Sequence, residues 1–555
     1  MEELDRQNRA FEKRLKRQVI GKPHRFLAVV PLGFEQTFIR EFNTLGIQTT
    51  ICDPGIAQAS NRPQVVGDGK VEFTAKITEA WKAVAYTRVA NRIMMHIADF
   101  KAENFRDLEK KASEIPWELY LHHTVAPAPR HTEAPHHRHT EALRSKASVS
   151  IEQSMDSLAP AGLRNDYQTE EPQIHIHVTC KHSRLYHSDA VAERLYNVIA
   201  ESLHNCHSGA EGYTTLGTQS LSGSYPLCGD RVQAEDLSQN LYVSLIDDRC
   251  TLWLDLAGEE LYKRGHERFV NDAPLKETIA AGMILEAIEI LRLRAAHSAQ
   301  DDTAPANITL IDPMAGSGTF SLEAAYMASG LIPGKCRDFA LKHQPAFKPA
   351  TWKHIVSSMD SLAPTGLRND NQKAQVCPLA NIITSDISER AVNIIRHNVE
   401  CSPLAQPTTC EPPATAAHSL PTNNSTSPAI NIVPQLRDFF TYTAKEIADA
   451  NPEGSAPVIV LNPPYGKRLD FDAPALYTRI GKKLAELARE LEPFGKKLTV
   501  AILAPNDDPR PGSKFTCTAN LLRECPALDP TNNPSARRIA TSHGGLGLGA
   551  FIAQI

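Results

Sequence analysis

The sequence predicts an α/β protein whose second half folds around a parallel, doubly wound sheet. Three observations lead to this fold class. Short apolar runs alternate with helical patterns from residue 307 onward. These runs show little alternation with polar residues, which is typical of strands buried on both faces. Aspartate, asparagine or a glycine turn follows several of them, at the sheet edge where ligands of such folds bind.

The composition is that of a globular protein with several domains. At 555 residues the chain is too long for one hydrophobic core, and roughly two to four domains are expected. The formal net charge of −5 means that any site for a polyanion must be a local patch. The 11 cysteines form no CxxC pair and no metal-ligand spacing, which favours free thiols in a reducing compartment and predicts no metal site.

The N-terminal residues are charged throughout and lack the apolar core of a signal peptide. No later run approaches the length of a membrane span. We therefore expect a cytoplasmic protein that does not bind a membrane. The sequence does not indicate an oligomeric state.

The first half of the chain predicts a separate α/β module. Residues 1–25 form a basic extension, and alternating strand and helix patterns follow over 26–215. A stretch at about 121–172, biased toward His, Ala, Pro and Thr, is predicted as an insertion in this module. Its histidines could bind a metal, but no strand or helix is predicted to fix their geometry, so a surface loop is the preferred interpretation. Residues 216–300 are predicted to connect the two modules.

A repeated segment interrupts both halves of the chain. Residues 154–168 recur at 358–372 with two differences, which indicates inserted sequence in surface loops. The second domain is predicted over 301–505, with insertions at about 356–376 and 401–429. Residues 506–555 are rich in Pro, Asn and Gly and predict an atypical C-terminal tail without a strand pair, which would leave a sheet edge exposed.

Three loops of the second domain are candidate ligand-binding sites. In the first, glycines permit a tight turn before a helix N-terminus, and its candidate residues are Asp312, Pro313, Ala315, Gly316, Ser317, Gly318 and Thr319. This loop is neither a P-loop nor a GxGxxG motif. Asp386 ends the next strand, where a carboxylate can hold the hydroxyls of a ribose, and Asp438 ends the third, where it can meet an adenine edge. Each aspartate taken alone is more often a turn or cap residue.

A fourth strand ends in Asn462-Pro463-Pro464-Tyr465. Two prolines cannot continue a sheet ladder, so the chain must turn away rigidly at this point. The alternative interpretation is a simple strand terminator followed by a half-buried aromatic residue.

Together these motifs resemble the class I S-adenosylmethionine-dependent methyltransferases that modify exocyclic amino groups. The stretches at 178–195 and 261–284 further resemble the THUMP-containing guanine-N2 methyltransferases of 23S ribosomal RNA. The resemblance implies a Rossmann-like methyltransferase domain preceded by a ferredoxin-like and THUMP RNA-binding module. It also implies S-adenosyl-L-methionine as cofactor, and 23S ribosomal RNA or a large-subunit assembly intermediate as partner. Alternatives left open are adenine-N6 or protein-glutamine methylation, or a non-catalytic RNA-binding protein with a degraded methyltransferase domain.

The resemblance also implies roles for individual residues. The side-chain oxygen of Asn462 and the carbonyl of Pro463 would accept hydrogen bonds from the target amino group, Pro464 would keep the turn rigid, and Tyr465 would stack on a flipped base. RNA contacts are expected from basic residues of both modules, namely Lys181, Arg184, His187, Arg194, Lys467 and Arg468. Linker residues Lys263, Arg264 and Lys276 could contribute to the same contacts.

Overall fold

The structure is a computed structural model. It describes residues 2–49, 62–122, 174–208, 239–270, 274–297, 307–360, 379–405, 432–451, 454–466, 471–510, 513 and 515–555. Within these ranges the chain forms two seven-stranded sheets. The first copy of the repeat, nearly all of the second copy and most of the three predicted insertions lie outside the described residues.

The first sheet belongs to the N-terminal module. Its strands and helices are α1 (Glu2–Leu15), β1 (Pro23–Val29), α2 (Glu35–Thr44), β2 (Gln64–Gly67), β3 (Lys70–Lys76), α3 (Ile77–Tyr86), β4 (Arg92–Lys101), α4 (Phe105–Ser113), β5 (Ile174–Lys181), α5 (Ser188–Ser208), β6 (Gln239–Ile246) and β7 (Arg249–Asp255). The strand order is β2-β3-β1-β4-β7-β6-β5. One face of this sheet carries the core, where Phe26 and Phe73 stack and Phe42 packs against Phe73.

Two predicted boundaries of the first module were wrong. Strands β6 and β7 lie within the predicted connecting segment, yet they pair with β5 and β4 and complete the first sheet. The predicted N-terminal extension contributes Leu15 and Val19 to the core, because both side chains are buried. A module that depends on these two segments extends from the N-terminal helix to Asp255.

The second sheet forms the C-terminal domain. Its elements are α6 (Glu277–His297), β8 (Asn307–Asp312), α7 (Thr319–Ala328), α8 (Pro349–Asp360), β9 (Leu379–Asp386), α9 (Glu389–Glu400), β10 (Gln435–Leu436), α10 (Ala444–Asp449), β11 (Ser455–Leu461), α11 (Ala473–Leu491), β12 (Thr499–Pro505), α12 (Cys517–Glu524), β13 (Arg537–His543) and β14 (Leu546–Gln554). The order is β10-β9-β8-β11-β12-β14-β13, with the first five strands parallel. The predicted doubly wound α/β fold is confirmed.

The predicted C-terminal tail without a strand pair was wrong. Strand β14 pairs antiparallel with β12, and β13 pairs with β14, so the hairpin covers the edge of β12. Gly544 and Gly545 form the two-residue turn with φ of 56° and 77°. Gly549 weakened the strand signal in the sequence, but a Cβ at this position would lie 2.8 Å from the Phe551 ring. The glycine is therefore required for close packing within the strand.

Two buried carboxylates join the two sheets. Glu323 on α7 accepts hydrogen bonds from Arg264 at 2.9 and 3.2 Å, and Arg264 also donates to the carbonyl of Arg88 in the first module at 3.0 Å. Glu286 on α6 accepts hydrogen bonds from three side chains in α2 and β13, which are Thr37, Arg40 and Arg537. The linker and the C-terminal hairpin are thus both fixed against the first module.

Among the described helices, none combines the length and the apolar character needed to cross a bilayer. The longest of them, α5 and α6, have 21 residues each. Helix α6 carries the buried Glu286 that joins the modules, so its apolar residues serve the interior of this protein.

We predict that Phe551→Ala lowers the free energy of unfolding by about 3–5 kcal/mol, because this β14 ring is fully buried in the core of the C-terminal domain. Chemical denaturation monitored by circular dichroism measures this change. Ser542→Ala, at an exposed position of the same hairpin, is the control and should change stability little. Equal stability of the two variants would show that the hairpin does not contribute to the domain.

Candidate active site

A cleft of about 1770 Å³ lies at the carboxyl ends of the parallel strands. It is lined by loops that follow β8, β9, β10 and β11, so it brings together four regions that the sequence analysis singled out. The predicted residues on its wall are Pro313, Ala315, Gly316, Ser317, Thr319, Asp386, Asp438, Asn462, Pro463, Pro464 and Tyr465. Asp312 and Gly318, the other two predicted loop residues, lie directly behind this wall.

The loop after β8 adopts a conformation that requires glycine. Gly316 and Gly318 have φ of 58° and 79°, which disfavours any other residue. The amide N–H of Gly316 donates to the carboxylate of Asp386 at 2.9 Å, and that of Ala315 donates to the carbonyl of Ser385 at 3.1 Å. The loop is therefore fixed to the end of β9 and leads directly into α7.

Asp312 carries an unusual buried carboxylate. Its Oδ2 accepts a hydrogen bond from the Ser321 hydroxyl at 2.8 Å, whereas its Oδ1 is buried and has no hydrogen-bond partner among the described residues. Burial raises the pKa of Asp312 to about 7, opposed by the hydrogen bonds from Ser321, and the nearby Asp386 raises it further. The site thus contains a carboxyl group that a cationic ligand would ionise.

Asp386 and Asp438 serve as turn residues and also face the cleft. Asp386 accepts hydrogen bonds from Gly316 and from the backbone of Ser388, both at 2.9 Å. Asp438 caps a short 3₁₀ turn through the backbone N–H of Phe440 at 3.0 Å. The structural and ligand-binding interpretations of these aspartates are compatible, since a carboxylate has lone pairs for more than one donor.

The turn after β11 has a rigid geometry. The Tyr465 hydroxyl donates a hydrogen bond to Oδ1 of Asn462 at 2.5 Å. Burial raises the pKa of the Tyr465 phenol, which keeps it a neutral donor. Gly466 follows with φ of 75°, and a Cβ there would lie 2.6 Å from the Cβ of Ala473. Lys467 and Arg468, predicted to contact RNA phosphates, lie outside the described residues.

Sequence reasoning missed two residues that hold the loop after β8. Arg268 donates to the Thr319 hydroxyl at 2.6 Å and to the Ser317 hydroxyl at 3.2 Å. The buried Asn398 on α9 donates to the carbonyl of Ser317 at 3.0 Å and exchanges two hydrogen bonds with the backbone of Phe269. A polar residue on the buried face of a predicted helix was the available signal for Asn398. Arg268 had no local signal, because its partners lie about 50 residues away.

The linker that precedes α6 lines one end of the cleft. Arg264, predicted as a possible RNA contact, is buried in the ion pair with Glu323, so that prediction was wrong. Lys276 does line the cleft, where it pairs with Glu260 at 3.3 Å. His266 shares a hydrogen bond with the Tyr326 hydroxyl at 2.9 Å, and burial lowers the pKa of this imidazole to about 4.

The four predicted RNA-binding residues of the first module lie near one another at the end of β5 and along α5. Lys181 and His187 are exposed. Arg184 forms ion pairs with Glu103 and Asp248, and Arg194 pairs with Glu109 at 2.7 Å while stacking over Phe105. The two arginines therefore already have carboxylate partners within the protein.

Comparison with known families supports the predicted class of the second domain. Residues 264–426 match a protein-family model described as RMKL-like, methyltransferase domain. The ribosomal RNA large subunit methyltransferase K/L of Allochromatium vinosum is 23% identical over 427 residues, which cover 75% of this chain and 42% of that protein. The protein of the same name from Methylococcus capsulatus is 22% identical over 446 residues, which cover 80% of this chain and 42% of that protein. The chain thus spans about two fifths of the length of these relatives.

Solved structures share the fold, in alignments that cover 96% of this chain. A protein from Clostridium difficile 630 described as a methylase has a TM-score of 0.56 at 17% identity, covering 96% of this chain and 98% of its own. SMU.472, described as a methyltransferase complexed with SAH, has a TM-score of 0.57 at 19% identity with the same coverage. The predicted fold class and the resemblance to large-subunit ribosomal RNA methyltransferases are confirmed. The family match does not extend to the first module, so its THUMP assignment stays a prediction.

We predict a specific pH dependence from Asp312. Between its ordinary pKa of 3.8 and about 7, the unfolded chain loses the proton while the folded protein keeps it. The contribution of Asp312 to the free energy of unfolding is therefore fully present below pH 3.8 and is lost as the pH rises to about 7. Relative to Asp312→Asn, the wild-type free energy of unfolding should fall across this window by up to about 4 kcal/mol. Denaturant titrations at several pH values measure it, and a constant difference would contradict the assignment.

Proposed function

We propose that this chain transfers a methyl group from S-adenosyl-L-methionine to the exocyclic N2 amino group of a guanine in 23S ribosomal RNA. The observation that carries the proposal is the meeting, in one cleft, of the loop after β8 and the Asn462 turn. The methyltransferase family match and the names of the relatives support the reaction class and the RNA substrate. The SAH complex of a structural neighbour supports the cofactor.

The residues present fit this cofactor. The buried Oδ1 of Asp312 would favour its cationic amino end, because a carboxyl group with a pKa near 7 ionises readily beside a positive charge. At Gly316 and Ser317 the cofactor would approach the backbone of the loop. Asp386 would bind its ribose hydroxyls, and Asp438 would meet its adenine edge. When bound, the sulfonium supplies an electrophilic methyl group and a neutral thioether leaving group.

The chain's own contribution is to orient the nucleophile. An exocyclic amino group is a poor nucleophile, because its lone pair is delocalised into the ring. Hydrogen bonds from this group to Oδ1 of Asn462 and to the carbonyl of Pro463 would draw the nitrogen toward tetrahedral geometry and direct its lone pair to the methyl group. Positioning of this kind supplies much of the rate enhancement in group-transfer reactions.

Tyr465 has two roles in this proposal. Its hydroxyl donates a hydrogen bond to the side-chain oxygen of Asn462 at 2.5 Å. The target amino group would bond the same oxygen, which can accept two hydrogen bonds, and the ring would stack on the flipped base. The phenol is thus a hydrogen-bond partner for this partly buried oxygen within the protein.

We predict that Asn462→Ala lowers methyl transfer at least about 100-fold while cofactor affinity stays within about twofold, because the side chain acts on the amino group of the substrate. The assay measures transfer of labelled methyl from S-adenosyl-L-methionine to protein-free 23S ribosomal RNA, followed by digestion and nucleoside identification. Asn393→Ala, an exposed asparagine on α9, is the matched control and should retain full activity. Label in N6-methyladenosine, or only in DNA or protein, would overturn the guanine assignment.

We further predict that Tyr465→Phe and Tyr465→Ala differ. The phenylalanine variant keeps the ring and frees Asn462, so its KM for RNA should be equal to or lower than that of the wild type. The alanine variant loses about 1–3 kcal/mol of stacking, which corresponds to a loss of about 5- to 150-fold in kcat/KM. Steady-state methyl transfer measures both, and equal loss in the two variants would contradict the stacking role.

A further inference from the structure

The end of the cleft that holds Asn462 carries one permanent charge among the described residues. Three elements line this end, here called the substrate end: the turn after β11 (462–466), helix α11 and the hairpin turn (543–546). Of their residues on the cleft wall, only Arg479 is a lysine, arginine, aspartate or glutamate. It lies in the second turn of α11 and is exposed. The reaction proposed above does not use this cation.

Most other basic residues of the cleft are neutralised within the protein. Those of the linker before α6 each form an ion pair with a glutamate. Arg479 forms no ion pair within the described part of the chain. Arg390 on α9 also has none there, but it follows Asp386 and so lies where the cofactor is expected. Arg479 is therefore the cation that the cleft offers at its substrate end.

An aromatic ring holds the guanidinium of Arg479 in place. Its central carbon lies 4.0 Å from the ring centroid of the half-buried Phe440, which also lines the cleft. Stacking uses the planar face of a guanidinium and leaves the N–H groups along its edge available. Arg437 stacks on Tyr442 in a similar way at 3.9 Å, but it also donates to Glu446 at 2.7 Å. The N–H groups of Arg479 donate to no described residue, so they can bind a ligand.

The chemistry of the two proposed ligands identifies the anion that this guanidinium meets. The cofactor carries its carboxylate at the amino-acid end, which the proposed function places beside Asp312. Its adenine, placed at Asp438, has no anionic group. The RNA carries a phosphate on each side of the target nucleotide, whose base enters the cleft at Asn462. The planar fork of an arginine matches the oxygens of a phosphate and can donate two hydrogen bonds to it.

We propose that the guanidinium of Arg479 binds a backbone phosphate next to the flipped target nucleotide. Contacts of this kind fix the position of a nucleic acid without reading its sequence. Because the ring of Phe440 already orients the side chain, little conformational entropy is lost when the phosphate binds. Arg479 thus holds the RNA backbone while Asn462 holds the amino group of the base. The inference rests on the proposed function, since it adds a phosphate contact to the same site.

The test compares the full-length wild type with Arg479→Gln, which removes the charge, and Arg479→Lys, which keeps the charge but loses the planar fork. Arg489→Gln, at an exposed position of the same helix away from the cleft, is the matched control. Methyl transfer to protein-free 23S ribosomal RNA at several salt concentrations gives kcat, KM and the salt dependence of kcat/KM. Filter binding of the same RNA and calorimetric titration with S-adenosyl-L-methionine measure the two affinities. Circular dichroism verifies that each variant is folded.

We expect Arg479→Gln to raise KM for RNA about tenfold, while cofactor affinity stays within about twofold. Its plot of log kcat/KM against log salt should become shallower by about 1, because one phosphate contact is lost. Arg479→Lys should raise KM less and keep the wild-type slope, and Arg489→Gln should behave like the wild type.

Two results would overturn the phosphate contact and leave the proposed function standing. An unchanged KM and slope in Arg479→Gln would mean that the arginine only covers the Phe440 ring. A loss of cofactor affinity as large as the rise in KM would mean that it serves the cofactor. If the wild type binds RNA but methylates none, the proposed function fails, and the salt slope of filter binding decides: a shallower slope in Arg479→Gln supports the contact, and an equal slope overturns it. A wild type that neither binds nor methylates RNA would overturn both.

Discussion

The ion pair between Arg264 and Glu323 is the constraint on which the arrangement of the two modules depends. Both side chains are buried, and the guanidinium also bonds the carbonyl of Arg88 in the first module. Removing Glu323 would leave the buried Arg264 guanidinium without its carboxylate partner, which costs about 3–5 kcal/mol. Because Glu323 lies in the second turn of α7, the pair fixes the helix that begins at the glycine loop. Arg268, four residues further along the linker, then holds Ser317 and Thr319 directly.

Two of the polar groups on the cleft wall are bonded from within the protein. Gly316 bonds Asp386, and the Tyr465 hydroxyl bonds Asn462, so the atoms that a nucleotide and a target base would contact already have partners of the right chemistry. Both acceptors are only partly buried, so each of these internal bonds replaces one that water would otherwise make. A ligand that contacts these atoms would exchange hydrogen bonds instead of adding them, which would make geometry more important than the number of bonds.

The sequence allowed prediction of those parts of the fold and site that are local in the chain. The loop from Asp312 to Thr319 and the Asn462 turn each combine strand end, glycine or proline, and side chain within a few residues. Arg268 and Asn398 could not be predicted in the same way, because their roles depend on contacts with Ser317 across 49 and 81 residues. The C-terminal hairpin was missed for a different reason. Its glycines lower the strand signal, although Gly544 and Gly545 form the turn and Gly549 makes room for the Phe551 ring.

The C-terminal hairpin also affects the order in which the chain can reach its final form during synthesis. Strands β13 and β14 leave the ribosome after every other strand of both sheets, yet they supply His543 to Leu546 on the wall of the cleft and Arg537 at the junction with the first module. Earlier segments can form their local structure as they emerge. The complete cleft and the closed junction must wait for the hairpin, so a nascent chain that stalls before residue 537 would hold a partly assembled site with the edge of β12 uncovered.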